Sequence, residues 1–375
     1  MNIIRAAFDL SPVPHAVGGV SRYLTRLAES LRLRAPDFNV ELLLVDVPAA
    51  HPGVPGPSSD CLEIPTPLYM KIPLARRIPL RRGWEKSSRP RRLARFTGSP
   101  AIYHHSGVQP FHPPVSLSVV TVYDLSALEH PEWHTGATVS FAGREAEMLR
   151  RGAFAAVISG WTGDRLVRTL GVPEERVCVA GGAAGDEFSP GNPSARVMKE
   201  YGLTPGNYFL HVGNFVPRKN IPFLIEAYAE SRRRGVDIPL VMVGEGGWGN
   251  VPMRDLPGLR ILRAVPDSRI VHLYRGARAL LYPSRYEGLG LPVLEAFACG
   301  TPVVSSSSSA LPETVGEGGV LLPPDEPERW IEEMAALSDP SRAEALGKMS
   351  ESVYRVRWTD VAERLLKFYR RIGEE

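Results

Sequence analysis

One segment of this chain, residues 286–304, constrains the fold and the chemistry most strongly. It reads Tyr-Glu-Gly-Leu-Gly-Leu-Pro-Val-Leu-Glu-Ala-Phe-Ala-Cys-Gly-Thr-Pro-Val-Val and follows an apolar strand predicted at residues 279–282. Residues 293–299 are predicted to form a helix with Pro292 at its first position, where a missing N–H costs nothing. The free amides at such a helix start bind anions, phosphate above all.

Two acidic residues, Glu287 and Glu295, flank the turn in this segment. Carboxylates accept hydrogen bonds from hydroxyl groups, including those of sugars. A phosphate site between two hydroxyl acceptors matches the parts of a sugar nucleotide, so we predict such a site here. The turn residues whose amides would line it are Gly288, Leu289, Gly290 and Leu291.

The composition excludes several classes of protein. The 375 residues are 43% hydrophobic and 23% charged, which is typical of a soluble protein with two domains of ordinary size. No apolar run reaches the roughly 18–20 residues that cross a bilayer, and the start of the chain predicts a buried strand rather than a signal peptide. Three scattered cysteines predict neither disulfides nor a metal site. We therefore expect a cytoplasmic protein, and the net charge of +3 gives no reason to expect nucleic acid as a partner.

Short apolar strands alternate with helical segments in both halves, which predicts an α/β fold of two doubly wound parallel sheets. A turn-rich stretch separates the halves, so we place the first domain at residues 1–190 and the second at 191–355, followed by a helix at 356–375. Ligands of such domains bind in the cleft at the carboxyl ends of the strands. The predicted strands lie near residues 1–10, 40–46, 101–104, 117–124, 155–159, 208–213, 239–244, 259–262, 279–282 and 301–305.

A second candidate anion site is Pro-Arg-Lys-Asn at residues 217–220, between a predicted strand and a helix predicted at 221–233. Arg218 offers a planar fork of donors and Lys219 a compact positive charge, and both suit a diphosphate. Two solvated cations in a turn would have the same sequence. The acidic turn described above favours a functional role for Arg218 and Lys219, because both segments would lie in one cleft.

Further candidates lie at predicted strand ends in the first half. Gly18 and Gly19 would let the backbone approach a ligand closely, although an ordinary turn has the same residues. Asp124 can accept a sugar hydroxyl or cap the segment that follows it. His105 either faces the cleft as a substrate-binding residue or has a structural role.

A glycine-rich stretch at residues 244–249 matches the spacing of a dinucleotide-binding fingerprint. That fingerprint requires a helix that begins within the glycines. Here Pro252 and Pro257 follow instead, so a loop is predicted and an oxidoreductase is disfavoured.

Ten Lys or Arg residues lie within residues 71–95, with Glu85 as the only acid and with Ile78, Leu80 and Trp84 among them. This segment is either a solvated face or a patch that contacts anionic lipid, where each cation contributes about 1 kcal/mol. Lipid contact would make the protein peripheral at the inner membrane face.

The second half closely resembles the nucleotide-sugar-binding domain of retaining glycosyltransferases of family 4, which have the GT-B fold of two Rossmann-like domains. The resemblance covers about residues 205–330 and is looser in the first half. Its motifs are Glu287 and Glu295 with seven residues between them, Pro-Arg-Lys-Asn at 217–220, 300–304, 311–316, and in the first half 18–23, Asp124 and Ser159.

The resemblance implies a role for each matching residue. Arg218 and Lys219 would hold the donor diphosphate, with the glycine loop of the first half closing over it. Glu287 and the turn amides would hold the transferred sugar, while Glu295 would accept from the ribose hydroxyls. No metal or other cofactor is implied, because cationic side chains and a helix terminus take its place.

The implied activity is transfer of a hexose from a nucleoside diphosphate sugar to a glycan, lipid-linked or small-molecule acceptor. The motif at 217–220 is most similar to that of mannosyl- and rhamnosyl-transferring members of polysaccharide pathways, which makes GDP-mannose the first donor to test. An epimerase of the same fold and a noncatalytic sugar-nucleotide-binding protein are the alternatives. Many relatives have His where this chain has Tyr123 and Arg where it has Asn214, so the roles of these two positions are open.

Overall fold

The structure is a computed structural model. It describes residues 2–10, 18–45, 61–62, 101–106, 117–247, 256–353 and 356–374. The basic segment at 71–95 lies outside the described residues, so its contact with lipid stays a prediction. Among the helices of the described ranges, none combines the length and the apolar character that a membrane span requires.

The first half of the chain forms a seven-stranded sheet in which neighbouring strands are parallel. Its strands are β1 (Ile4–Asp9), β2 (Val40–Val45), β3 (Cys61–Leu62), β4 (Ile102–His105), β5 (Leu117–Val122), β6 (Phe154–Val157) and β7 (Val177–Val179). Their spatial order is β3-β2-β1-β4-β5-β6-β7.

The second half forms a six-stranded sheet that is also parallel. Its strands are β8 (Phe209–Val212), β9 (Leu240–Val243), β10 (Leu259–Leu262), β11 (Ala279–Tyr282), β12 (Val303–Ser306) and β13 (Val320–Leu322), in the order β10-β9-β8-β11-β12-β13. The central strands β8, β9, β11 and β12 are buried at every residue. Such burial is expected of parallel strands with helices on both faces, and it explains their short apolar runs in the sequence.

Helices cover both sheets. In the first half they are α1 (Gly19–Arg34), α2 (Ser126–Glu129), α3 (Gly136–Arg150) and α4 (Gly160–Leu170). In the second they are α5 (Ala195–Glu200), α6 (Ile221–Arg233), α7 (Asp267–Gly276), α8 (Leu291–Ala298), α9 (Leu311–Val315), α10 (Pro327–Ala336) and α11 (Pro340–Val353), and α12 (Trp358–Glu374) follows them.

The start of α8 differs from the prediction. The helix begins at Leu291, so Pro292 is its second residue rather than its first. The reason is Gly290, whose left-handed conformation (φ 93°) ends the turn and precedes the first helical residue directly. Glycine adopts this conformation without steric cost.

The last helix, α12, packs against the first sheet although it follows the second one in the chain. Val361, Leu365 and Tyr369 are fully buried and share a core with Phe8 and Leu24. This amphipathic helix therefore ties the end of the chain to the first half.

Candidate active site

Two cations and a carboxylate form a buried cluster in the segments that follow β8 and β11. Lys219 Nζ donates to Glu287 Oε1 at 2.6 Å, and Arg218 Nη1 lies 2.9 Å from Glu287 Oε2. Lys219 Nζ also donates to the Tyr282 hydroxyl and lies 4.7 Å from the centroid of that ring. Two positive charges therefore face one negative charge, which leaves the cluster attractive to an anion.

A short turn of 3-10 helix, Pro217–Lys219, presents both cations. Asn220 follows it in the left-handed conformation with φ 57°, which asparagine tolerates better than most residues. The Asn220 side chain donates to the Pro324 carbonyl at 2.8 Å, and the Arg218 carbonyl accepts from the Arg285 amide at 2.8 Å. These contacts fix the turn just before α6 begins.

The backbone around Glu287 is also held from two sides. Its amide donates to Ser309 Oγ at 2.7 Å. Arg218 Nη1 donates to the preceding carbonyl, that of Tyr286, at 2.9 Å. The carboxylate is thus positioned by its own backbone as well as by its two cationic partners.

Burial and neighbouring charges set the protonation of the cluster. Burial disfavours the ionised form of Glu287, but Arg218 and Lys219 outweigh it and lower the pKa of Glu287 to about 2. At Lys219, burial together with the Arg218 charge outweighs Glu287 and lowers the pKa to about 8. Glu287 is therefore ionised at neutral pH, whereas the pKa of Lys219 lies only about one unit above neutral pH.

The turn after Glu287 packs directly against the first half of the chain. A Cβ atom on Gly288 would lie 1.7 Å from the Tyr123 carbonyl oxygen, so only glycine fits this contact. Thr162 Oγ1 donates to the Gly288 carbonyl at 3.3 Å. Leu289, the next residue, packs against core clusters of both halves. The predicted turn therefore lies where the two sheets meet.

A second contact between the halves involves the start of α4. Glu313, on α9, accepts from the amides of Gly160 and Trp161 at 2.9 and 2.7 Å. Nearby, the Tyr286 hydroxyl donates to Glu129 at 2.9 Å. A carboxylate of the second half thus caps a helix of the first half. This contact stabilises the closed arrangement of the two halves.

The starts of α1 and α8 converge between the sheets. Their N-cap residues, Gly18 and Gly290, have no side chains to cap the first helical amides. A Cβ on Gly19 would lie 3.6 Å from Leu291 Cδ1, and one on Gly18 would lie 3.9 Å from Asn214 Nδ2. The positive ends of two helix dipoles therefore point into the same region.

Glu295 lies on α8 and is buried. The Tyr274 hydroxyl donates to its Oε2 at 2.8 Å, and Arg22 Nη1 lies 3.3 Å from its Oε1. Because Arg22 belongs to α1, this ion pair joins the two halves. Burial raises the pKa of Glu295, while Arg22 and the hydrogen bond from Tyr274 act against that rise.

Two predicted substrate-binding residues of the first half have partners within it. Asp124 Oδ1 accepts from the amide and the hydroxyl of Ser126 at 2.9 and 2.7 Å, so Asp124 caps the start of α2. Its charge also helps to raise the pKa of Arg218, together with Glu287 and against the effect of burial. His105 is buried at the end of β4, with its ring edge-on to Tyr103 at 4.7 Å between centroids. A substrate role stays a prediction for both.

Sequence reasoning missed Arg22, Tyr274 and Tyr282. Two of them carried a signal in the sequence. Tyr282 ends a predicted strand just before the acidic turn, and Arg22 stands one helical turn after Gly19. Tyr274 is brought to the site by its long-range hydrogen bond to Glu295, which no local pattern encodes.

Residues 196–353 match the family model described as Glycosyl transferases group 1. The O-antigen chain mannosyltransferase B of Escherichia coli is 33% identical over 241 residues, which cover 60% of this chain and 62% of that protein. The GDP-mannose-dependent alpha-(1-6)-phosphatidylinositol monomannoside mannosyltransferase of Mycolicibacterium smegmatis is 30% identical over 207 residues, or 51% of this chain and 54% of that protein. The matches thus span less than two thirds of either relative.

Solved structures extend the likeness to the whole chain. Sucrose-phosphate synthase from Thermosynechococcus elongatus has a TM-score of 0.70 at 20% identity and covers 99% of both chains. Anabaena HepE in complex with UDP-glucose has a TM-score of 0.69 at 15% identity, covering 99% of this chain and 100% of that one. At these identities the likeness shows the fold. The chain thus has the GT-B fold, and its residues 196–353 match the glycosyl transferases group 1 family.

Proposed function

We propose that the protein is a retaining glycosyltransferase that moves a hexose from a nucleoside diphosphate sugar to an acceptor. The observation that carries the proposal is the buried cluster of Arg218, Lys219 and Glu287 beside the converging starts of α1 and α8. Positive groups preorganised in a buried site stabilise the negative charge that develops on a leaving diphosphate. The matching family and the two mannosyltransferases among the relatives support the same chemistry.

Each part of the donor has a partner in this proposal. Arg218 and Lys219 hold the phosphate oxygens, with the first amides of α1 and α8 on either side. An ionised carboxylate offers about four acceptor positions, of which the two cations use two. Glu287 can therefore also accept from hydroxyls of the transferred sugar, while Glu295 accepts from the ribose.

We further propose a substrate-assisted transfer without a metal ion. The bond between the anomeric carbon and the phosphate oxygen breaks, and the acceptor oxygen bonds to the same face of the sugar. The departing phosphate oxygen takes the acceptor's proton, so no separate base is needed. The two cationic side chains and the two helix starts supply the positive charge for which other transferases use a metal.

A donor screen tests the proposed activity. GDP-, UDP- and dTDP-sugars, starting with GDP-mannose, are incubated with the protein in EDTA, with and without lipid extract. We expect one donor to release its nucleoside diphosphate in an acceptor-dependent reaction that EDTA does not slow. Conversion of the donor without an acceptor would indicate an epimerase instead, and binding without turnover of any donor would indicate a noncatalytic binding protein.

Nucleoside diphosphate affinity is expected to fall as the pH rises above about 8. The pKa of Lys219 is lowered to about 8 in the free protein, and only the charged form holds a diphosphate. The bound anion raises that pKa, so binding takes up a proton. Kd should then rise about tenfold per pH unit until the pKa of the complex is reached.

Calorimetric titration with GDP or UDP in buffers of different ionisation enthalpy measures this proton uptake directly. The diphosphate itself is already ionised in this pH range, so it adds no pH dependence to the Kd. The variant Lys219→Met should bind weakly with a Kd that does not change with pH. A flat profile for the unsubstituted protein would contradict the role of Lys219.

We also propose that the acceptor is a glycan or lipid-linked sugar of a polysaccharide pathway, met at the inner face of the membrane. The basic and apolar residues of 71–95 support this location. The protein is expected to sediment with vesicles of anionic phosphatidylglycerol but not with neutral phosphatidylcholine vesicles, and to be released by salt. Equal behaviour with both vesicles would contradict the lipid contact.

A further inference from the structure

The side chain of Arg22 reaches from the first half of the chain into the second. Arg22 Nη1 lies 3.3 Å from Glu295 Oε1 and 3.6 Å from Asp267 Oδ1, and the side chain is 23% exposed. Its Nε and Nη1 are buried, yet among the described residues neither has an acceptor in hydrogen-bonding geometry. Buried donors without acceptors cost free energy, so this guanidinium has unused binding capacity beside the proposed donor site.

The carboxylate that Arg22 faces is held firmly from the other side. Tyr274, on α7, donates its hydroxyl to Glu295 Oε2 at 2.8 Å. Glu295 is 3% exposed, so its charge state depends on the groups packed around it. In the proposed function this carboxylate accepts from the ribose hydroxyls.

Acidic groups surround Glu295, and Arg22 is the cation that balances them. Burial raises the pKa of Glu295, and the charges of Asp267 and Glu187 raise it further, whereas Arg22 and the Tyr274 hydroxyl lower it. The Glu295 charge in turn raises the pKa of Arg22 against the effect of burial. Arg22 thus stays charged, and removing it would leave a buried carboxyl beside other acids.

We propose that Arg22 is a positioning residue for the donor: it holds Glu295 in the ionised form and the orientation that accept both ribose hydroxyls. The inference rests on the proposed function of the site. Nucleotide binding by the second half then depends on Arg22, a side chain of the first half. Donor affinity is therefore coupled to closure of the cleft. The same role also makes Arg22 a determinant of selection for ribose over deoxyribose.

The physical reason for that selection is the buried charge. An ionised carboxylate that loses one hydroxyl partner is left partly unpaired in a buried site, and such sites discriminate strongly against the analogue that lacks the group. A protonated carboxyl loses less binding free energy when one hydroxyl partner is missing, because it is neutral. Removal of Arg22 should therefore weaken discrimination as well as affinity.

The test compares the Kd values of GDP and 2′-deoxy-GDP, and of UDP and 2′-deoxy-UDP, by calorimetry. The ratio of the two Kd values is informative because both nucleotides carry the same diphosphate, so titration of Lys219 cancels. We expect the unsubstituted protein to prefer the ribonucleotide at least about tenfold. In R22A at about pH 7 this preference should fall at least about fivefold.

The pH profile separates positioning from a general structural effect. In R22A the preference should recover as the pH rises, because Glu295 then ionises without help. In the unsubstituted protein it should vary less with pH. R22K keeps the positive charge and should retain most of the preference.

Arg34 provides a matched control. It lies at the end of α1 and pairs with Asp37 at 2.9 Å and with Glu363 at 2.5 Å. R34A removes a guanidinium from the same helix and should leave the preference unchanged. Thermal unfolding of all variants shows that they are folded.

Two further outcomes distinguish the inference from the function on which it rests. An unchanged ribose preference in R22A, with E295Q losing that preference, would overturn the role of Arg22 and leave the donor site standing. A protein that binds no nucleoside diphosphate, or an E295Q variant with full preference, would overturn the proposed donor site and the role of Arg22 with it.

Discussion

Turnover of the preferred sugar nucleotide is expected to fall by about 10²–10³ when Lys219 is replaced by methionine. Lys219 Nζ lies 2.6 Å from Glu287 Oε1, in the region where the leaving diphosphate would gather charge. Methionine keeps the apolar stem but removes the charge and the hydrogen bonds to Glu287 and Tyr282. Arg218 remains as a partner for Glu287. The loss should therefore appear in kcat rather than in the folded fraction.

A cation elsewhere on the same segment controls for a general change in charge. Arg233, at the end of α6, is 74% exposed, and Arg233→Met should retain its turnover within about twofold. Steady-state kinetics and thermal unfolding of both variants are the measurements. Near-normal turnover in Lys219→Met would remove the diphosphate role of this residue.

Replacing Gly288 by alanine is expected to lower kcat/KM by at least about 10²-fold. The added Cβ would lie 1.7 Å from the Tyr123 carbonyl oxygen and 3.1 Å from Asp124 Cβ. Because a backbone atom cannot rotate away, the two halves must separate at this contact. Glu287 and the amides of the turn would then be displaced by about 1 Å, and a misplacement of this size costs about 10²-fold in rate.

Each half has core clusters of its own, so Gly288→Ala should fold with an open cleft. Circular dichroism should be unchanged, while small-angle scattering should give a larger radius of gyration. Gly143, on the exposed side of α3, has no atom within 4 Å of its added Cβ, so Gly143→Ala is the control with normal activity. Full activity of Gly288→Ala would mean that transfer does not use this closed arrangement.

Much of the second half could be predicted because buried parallel strands are short apolar runs between turns. The helix Ile221–Arg233 and the strands Leu259–Leu262 and Ala279–Tyr282 have the predicted bounds. The predicted helix at 293–299 was wrong at its start, since proline at the second helical position is as acceptable as at the first. Only the left-handed Gly290 distinguishes the two, and its conformation cannot be read from its identity alone.

Two three-residue edge strands escaped prediction for a different reason. Val177–Val179 and Val320–Leu322 have three residues each and lie at the edges of the two sheets. Their residues are mostly partly exposed rather than buried. Neither a long apolar run nor an alternating pattern marks such segments.

Only those residues of the candidate site that directly follow a strand could be predicted to lie close together. Arg218, Lys219 and Glu287 follow neighbouring strands of one sheet, so their proximity follows from the parallel topology. The pairing of Arg22 with Glu295 depends on how the two sheets face each other. Contacts between residues far apart in the chain set that relation, and no periodicity encodes it.

The most direct test of a diphosphate site between the two halves is a structure of the protein with GDP or UDP bound. We expect phosphate oxygens within about 3.2 Å of the Arg218 and Lys219 side chains, between the first amides of α1 and α8, with the ribose hydroxyls on Glu295. A nucleotide bound elsewhere, with its phosphates away from Arg218 and Lys219, would contradict both the site and the proposed reaction.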